Sequence, residues 1–174
     1  MLAPALARCE YVLRPENECA LGNGGTGKTH VALALGLAAC QTGLAVAFTT
    51  AAALVCQLLE ARDECRLLKM PRELAAVKLL LIDEVGDVRL SAAGAVLLFE
   101  VFSQRYEHGS TIVTSNLPFE DWTQVPGRER QVGALLDRFT HHGGILTMNG
   151  DSYRLKQFAG RRRSAAGAEQ NRAA

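Results

Sequence analysis

Four apolar residues in succession, Leu79-Leu80-Leu81-Ile82, stand directly ahead of the acidic pair Asp83-Glu84. An uninterrupted run of this kind predicts a strand buried on both faces, as in a parallel sheet. Shorter β-type runs occupy residues 19–21, 44–48, 111–113 and 144–148. The first is weak, because Asn17 and Glu18 stand where apolar residues are expected. Between the runs the apolar spacing becomes helical. Residues 29–41 form one such stretch, with Gly43 placed to stop it in a left-handed conformation. Residues 51–62 form a second. Ser91 is placed to N-cap a third, whose Val96, Phe99, Val101 and Phe102 are expected to point inward. Residues 131–139 read as another helix, and 63–73, charged and broken by Pro71, as a connector. Strands alternating with helices predict an α/β fold, a mainly parallel sheet covered on both sides.

Composition changes this picture little. A chain of 174 residues has the length of one domain, and its formal charge of +1 does not announce a nucleic-acid binder. The expected division is a nucleotide-binding domain over 1–159 and a basic, disordered tail over 160–174, opened by Arg161-Arg162-Arg163. The five cysteines form no C-x-x-C pair, and neither a zinc ribbon nor a disulfide framework is indicated. Cys40 and Cys56 read as core packing. His141-His142 has no Cys/His cluster to make it a metal site. No stretch has the length of a membrane span or the form of a signal peptide, so a soluble, cytoplasmic protein with no membrane partner is expected.

The chemistry is concentrated in Gly22-Asn23-Gly24-Gly25-Thr26-Gly27-Lys28-Thr29, which satisfies G-x-x-x-x-G-K-[ST]. Backbone N–H groups of such a loop, with the start of the following helix, cradle polyphosphate. Gly22, Gly24, Gly25 and Gly27 are expected to allow torsions and close approaches that a side chain blocks. Lys28 is placed to reach the β- and γ-phosphates of ATP, and the Thr29 hydroxyl to ligate Mg²⁺. Asp83, at the carboxyl end of the apolar strand, is the candidate to hold that ion. Glu84 is the candidate to polarise an attacking water. If the 111–113 strand lies between the P-loop and Asp83 strands, Asn116 is placed to orient that water or contact the γ-phosphate. A turn cap before Pro118 is the other reading. Arg138 is either a finger reaching a neighbouring subunit's nucleotide or a local ion pair. Arg154 is a candidate phosphate contact within the same chain.

Several further stretches join these. They include Gly25–His30, Phe48-Thr49-Thr50-Ala51, Ile82-Asp83-Glu84-Val85-Gly86, Thr114-Ser115-Asn116-Leu117-Pro118-Phe119, Ala134-Leu135-Leu136-Asp137-Arg138 and Asn149-Gly150-Asp151-Ser152-Tyr153-Arg154. Together they resemble the IstB-like ATP-binding proteins, transposition helper ATPases related to the DnaC helicase loaders within the AAA+ group. The resemblance runs from Glu10 to Lys156. It implies a three-layer AAA+ P-loop NTPase core with a five-stranded sheet, binding ATP and Mg²⁺ between subunits of a homo-oligomer. It also implies double-stranded DNA and a transposase as partners. By that match Gly22 to His30 and Arg154 bind nucleotide, and Thr29 and Asp83 hold the metal. Lys28, Glu84, Asn116 (as sensor) and Arg138 (as trans-acting finger) are catalytic.

The sequence also departs from the family pattern. A helical segment usual ahead of the P-loop is expected to be mostly missing, Asn23 replaces a common proline, and Glu18-Cys19-Ala20 weakens the first strand. Asp87 and Arg89 replace a typical aromatic and proline. Two other functions therefore stay open, a helicase loader and an ATP-binding interaction module without useful hydrolysis. A small-molecule phosphotransferase fits less well, because a water-activating glutamate suits hydrolysis.

Overall fold

The computed structural model describes residues 8–64, 73–74, 76–85, 91–118, 122 and 143–158. Five strands form one sheet: β1 (Asn17–Leu21), β2 (Val46–Thr50), β3 (Leu79–Asp83), β4 (Ser110–Ser115) and β5 (Gly143–Thr147). Their order is β2-β3-β4-β1-β5, and every pairing is parallel. The helices are α1 (Glu10–Leu13), α2 (Lys28–Gln41), α3 (Ala51–Asp63) and α4 (Ala92–Arg105). A further helical turn, α5, covers 153–158.

The apolar run of β3 explains the layering. Leu79 and Leu81 join a cluster with Tyr11, Val12, Ala32, Leu35 and Ala39 from α1 and α2. Leu80 and Ile82 join the opposite cluster with Leu54, Leu58, Leu98 and Phe102 from α3 and α4. Alternate side chains of a strand point to opposite faces, so a strand covered twice is apolar throughout. The result is the expected three-layer α/β architecture. Gly36 lets α2 approach closely, since a Cβ there would meet Leu81 Cδ1 at 2.5 Å.

Helix ends follow local chemistry. Thr50 and Ser91 N-cap α3 and α4, their hydroxyls accepting from the N–H groups of Ala53 and Gly94. Gly43, at φ 82°, ends α2 as expected. On α4 the fully inward residues are Ala95, Leu97, Leu98, Val101 and Phe102, with Val96 and Phe99 only half-buried. Cys40 and Cys56 are exposed rather than packed in the core, because each falls on the outer side of its helix. Residues 131–142, 160–174 and most of 63–73 lie outside the described residues, as do Asp87 and Arg89. Among the described residues no helix is long and apolar enough to cross a membrane.

β1 and β2 differ most from their sequence reading, while β4 extends beyond the expected 111–113 to Ser110–Ser115 and β5, Gly143–Thr147, lies one residue earlier than 144–148. β2 runs two residues later than expected, because Leu44 and Ala45 complete the turn after α2. The Leu44 N–H bonds to Ala39 O, and Ala45 O accepts from Lys78 and Leu79. β1 starts earlier, at Asn17, whose Oδ1 accepts the Thr111 N–H at 3.0 Å. Its neighbour Glu18 is buried between β4 and β5, and Oε2 has no hydrogen-bond partner. A side chain on Gly144 would collide with that carboxyl group. Arg105 shows the opposite solution to burying a polar group. It is 4% exposed, and its guanidinium donates to Thr111 Oγ1 and to the carbonyls of Leu74, Val77 and Ser110.

Burial, helped by the neighbouring Glu16 charge and partly offset by a Gly144 backbone hydrogen bond, pushes the Glu18 carboxyl from 4.5 up to about 7. Below pH 4.5 the folded and unfolded chains both hold the proton. Between there and about pH 7 the fold holds more protons than the unfolded chain, so stability falls as pH rises. Glu18→Gln should therefore raise the melting temperature clearly at pH 8 and little at pH 4.5. Equal shifts at both pH values would show that the burial of charge is not the cause.

Candidate nucleotide-binding site

The loop over residues 22–27 joins β1 to α2, and three of its glycines are there for geometric reasons. Gly22, Gly25 and Gly27 have φ of 147°, 81° and 97°. A Cβ on Gly22 would collide with the Met148 carbonyl oxygen, and one on Gly25 with Ser152 Oγ. Gly24 differs from expectation: its φ is not positive, and a Cβ there meets nothing within 4 Å. The loop is closed by its surroundings. Thr26 Oγ1 donates to Asn23 O at 2.9 Å, Met148 N–H to Leu21 O, and Tyr153 N–H to Gly25 O at 3.0 Å. Lys28 is 6% exposed, and its ammonium donates to the carbonyls of Gly22 and Asn23 at 2.7 and 2.8 Å. The ammonium thus lies within the curl of the loop, where a phosphate oxygen can compete for it.

Facing the loop is the end of β3. The Thr29 hydroxyl on α2 donates to Asp83 Oδ1 at 3.0 Å, joining residues 54 positions apart. Thr114, near the end of β4, donates its hydroxyl to the same oxygen. That hydroxyl also accepts the Glu84 N–H at 3.1 Å, and Thr114 O accepts the Val85 N–H at 2.9 Å. Glu84 itself is exposed with φ 62°. A non-glycine residue in that region carries strain of about 1–2 kcal/mol, which its surroundings must sustain. Thr114 is the site residue that sequence reasoning passed over in favour of Asn116. Its signal was the hydroxyl type on the strand next to Asp83.

Loop and acidic end line one groove of ≈ 1130 Å³, reached also by His30, Leu33, Asn116 and Arg154. That is room for a nucleoside triphosphate. β4 does lie between β1 and β3, the condition that brings Asn116 to the groove. His30 is exposed on the first turn of α2, and Arg154 is exposed on α5, whose start is capped by Ser152. Of the proposed site residues, only Arg138 lies outside the described residues. Among those described, no three His, Cys, Asp or Glu side chains gather as a metal-binding group. The Thr29 hydroxyl and Asp83 carboxylate are nonetheless hard oxygen donors in contact, a set that fits Mg²⁺ completed by phosphate and water.

The sequence model of the family described as "IstB-like ATP binding protein" matches residues 2–161. The chain belongs to this family. It is 40% identical over 152 residues to an insertion sequence IS21 putative ATP-binding protein of Pseudomonas aeruginosa, covering 87% of this chain and 57% of that protein. An insertion sequence IS5376 putative ATP-binding protein of Geobacillus stearothermophilus is also 40% identical over 152 residues, with 87% of this chain and 61% of that protein covered. The chain thus spans well under two thirds of the length of these curated relatives. Among solved structures, the DnaC helicase loader superposes with a TM-score of 0.71 at 21% identity, covering 84% of this chain and 86% of that one. A replication initiator DnaA, bound to AMPPCP and single-stranded DNA, gives 0.68 at 22% identity over 86% of this chain and 46% of that one. At such identities the likeness shows the fold alone, which is the AAA+ P-loop NTPase fold.

The glycines give a test of the loop geometry in thermal melts. Gly24→Ala should leave the melting temperature unchanged or raise it slightly, since it only restricts the unfolded chain. Gly25→Ala should lower it and weaken ATP binding at least tenfold. Similar behaviour of the two variants in thermal melts would contradict this loop geometry.

Proposed function

We propose that this IstB-like protein binds Mg·ATP in the groove, hydrolyses it, and acts as a DNA-associated helper of insertion-sequence transposition together with a transposase. The observation that supports it most is the contact of Thr29 with Asp83 in the groove that the glycine loop, Lys28, Glu84 and Asn116 also line. The family and the insertion-sequence names of the relatives support the biological setting. A helicase-loading role has only the fold likeness to DnaC behind it.

Each residue has a distinct task. Backbone N–H groups from Asn23 to Thr29 receive the phosphates, the Gly22 N–H being donated to Ser115 O, and His30 and Arg154 border the nucleotide from α2 and α5. Lys28 exchanges its loop carbonyls for β- and γ-phosphate oxygens, keeping its charge assisted by hydrogen bonds. Thr29 and Asp83 hold Mg²⁺, which neutralises charge on the phosphates when bound. Glu84 polarises the attacking water, taking its proton as the water oxygen bonds to the γ-phosphorus and the β–γ bridge breaks toward ADP. Asn116 orients that water. Arg138 is the finger offered to the nucleotide of a neighbouring copy in an ATP-dependent homo-oligomer, and double-stranded DNA is the surface on which the copies gather.

The test is phosphate release by purified protein with and without duplex DNA. Turnover should rise with DNA and fall at least 100-fold in Glu84→Gln, which keeps its ATP affinity, whereas Lys28→Ala should lose affinity. ATP binding without turnover in either condition would replace the helper ATPase with a nucleotide-dependent interaction module.

A further inference from the structure

Position 114 on β4 controls three consecutive positions of the neighbouring strand end. Its backbone carbonyl takes the Val85 N–H at 2.9 Å, a bond that any residue type provides. The other two contacts need a hydroxyl. A threonine hydroxyl has one proton and two lone pairs. Here the proton goes to Asp83 Oδ1, and a lone pair takes the Glu84 N–H at 3.1 Å. The residue is 2% exposed and follows Ile112 and Val113, so valine would satisfy strand propensity and packing equally. Only the hydrogen bonds distinguish threonine from it.

Both contacts bear on groups that the proposed hydrolysis needs. Asp83 Oδ1 receives the Thr114 and Thr29 hydroxyls together, which fixes the rotation of its carboxylate. The Glu84 backbone, at φ 62°, is held in the left-handed region that aims its exposed side chain from the strand end into the groove. Without an acceptor for its N–H, Glu84 is held only through the Val85 N–H bond that follows it, and relaxation toward the ordinary region swings the Glu84 carboxylate away.

We infer that Thr114 is a positioning residue, its single hydroxyl setting the metal-side carboxylate of Asp83 and the water-polarising carboxylate of Glu84 in one geometry. This rests on the hydrolytic reading of the site. Thr114→Val and Thr114→Ser separate the hydroxyl from the strand, with thermal melts to establish folding. For Thr114→Val, kcat should fall at least tenfold while KM for Mg·ATP stays within threefold. Thr114→Ser should return kcat to within threefold of the natural protein. A Thr114→Val enzyme with kcat within twofold of the natural one overturns the inference, as does a Thr114→Ser enzyme no better than the valine variant.

A natural protein that binds ATP without turnover would sink the hydrolytic reading by itself. The inference is then read from geometry: in crystals of Thr114→Val the Glu84 backbone should leave the left-handed region and the Asp83 carboxylate should rotate, while Thr114→Ser keeps both in place, and an unchanged Glu84 and Asp83 in Thr114→Val overturns it. If Thr114→Val does not fold, Thr114→Ala against Thr114→Ser gives the same comparison.

Discussion

The placement of β4 between β3 and β1 is the constraint on which the site depends. Its register against β3 runs from Leu79↔Ser110 to Ile82↔Val113, and against β1 from Glu18↔Ile112 to Leu21↔Ser115. The three carboxyl ends therefore finish nearly level. That alone brings Thr114 beside Asp83 and Glu84, and sets the glycine loop, which leaves β1, across from them. Ligand crevices form at this edge of open α/β sheets because loops diverge there while strand ends remain fixed. The three interior strands carry few exposed residues, so the polar groups at their ends stand on a rigid base.

That base is built from two apolar layers and a few demanding polar placements. β3 is apolar on both faces because helices cover both. Arg105 and Asn17 are buried yet paired with backbone groups, and each ties a neighbouring element to β4. Glu18 is buried without a full set of partners, which makes β1 the strand least adapted to its surroundings. The weakness lies at the opposite end of β1 from the loop, so it bears on stability more than on the groove. Gly144 accommodates it by leaving the space that the Glu18 carboxyl fills.

Much of this was legible in the chain, for physical reasons that differ by element. The apolar run 79–82 announces a doubly covered strand, and the spacing of the P-loop announces a strand-to-helix turn. Caps at Ser91 and the stop at Gly43 follow from hydrogen bonding and φ alone. The limits of β1, β2 and β4 did not, because Asn17, Glu18, Thr49, Thr50, Ser110, Thr114 and Ser115 join strands through tertiary pairing that overrides their polarity. Cys40 and Cys56 were misplaced, since a helix of mostly small apolar residues does not reveal which side faces inward. Gly24 looked like its neighbours, although only a backbone angle separates a required glycine from a tolerated one. Thr114 was hidden because a hydroxyl on a strand is ordinary until the strand order puts it against a carboxylate. The resemblance to IstB-like proteins supplied what pattern alone could not, the family.

The proposed chemistry depends on where the phosphates sit. The most direct measurement is a crystal structure of the protein with Mg²⁺ and a non-hydrolysable ATP analogue. The prediction is a triphosphate along the 22–29 loop, Lys28 Nζ moved from the Gly22 and Asn23 carbonyls onto phosphate oxygens, and the metal beside Thr29 and Asp83. A nucleotide bound elsewhere, or Lys28 still bonded to both loop carbonyls with the analogue in place, would contradict it.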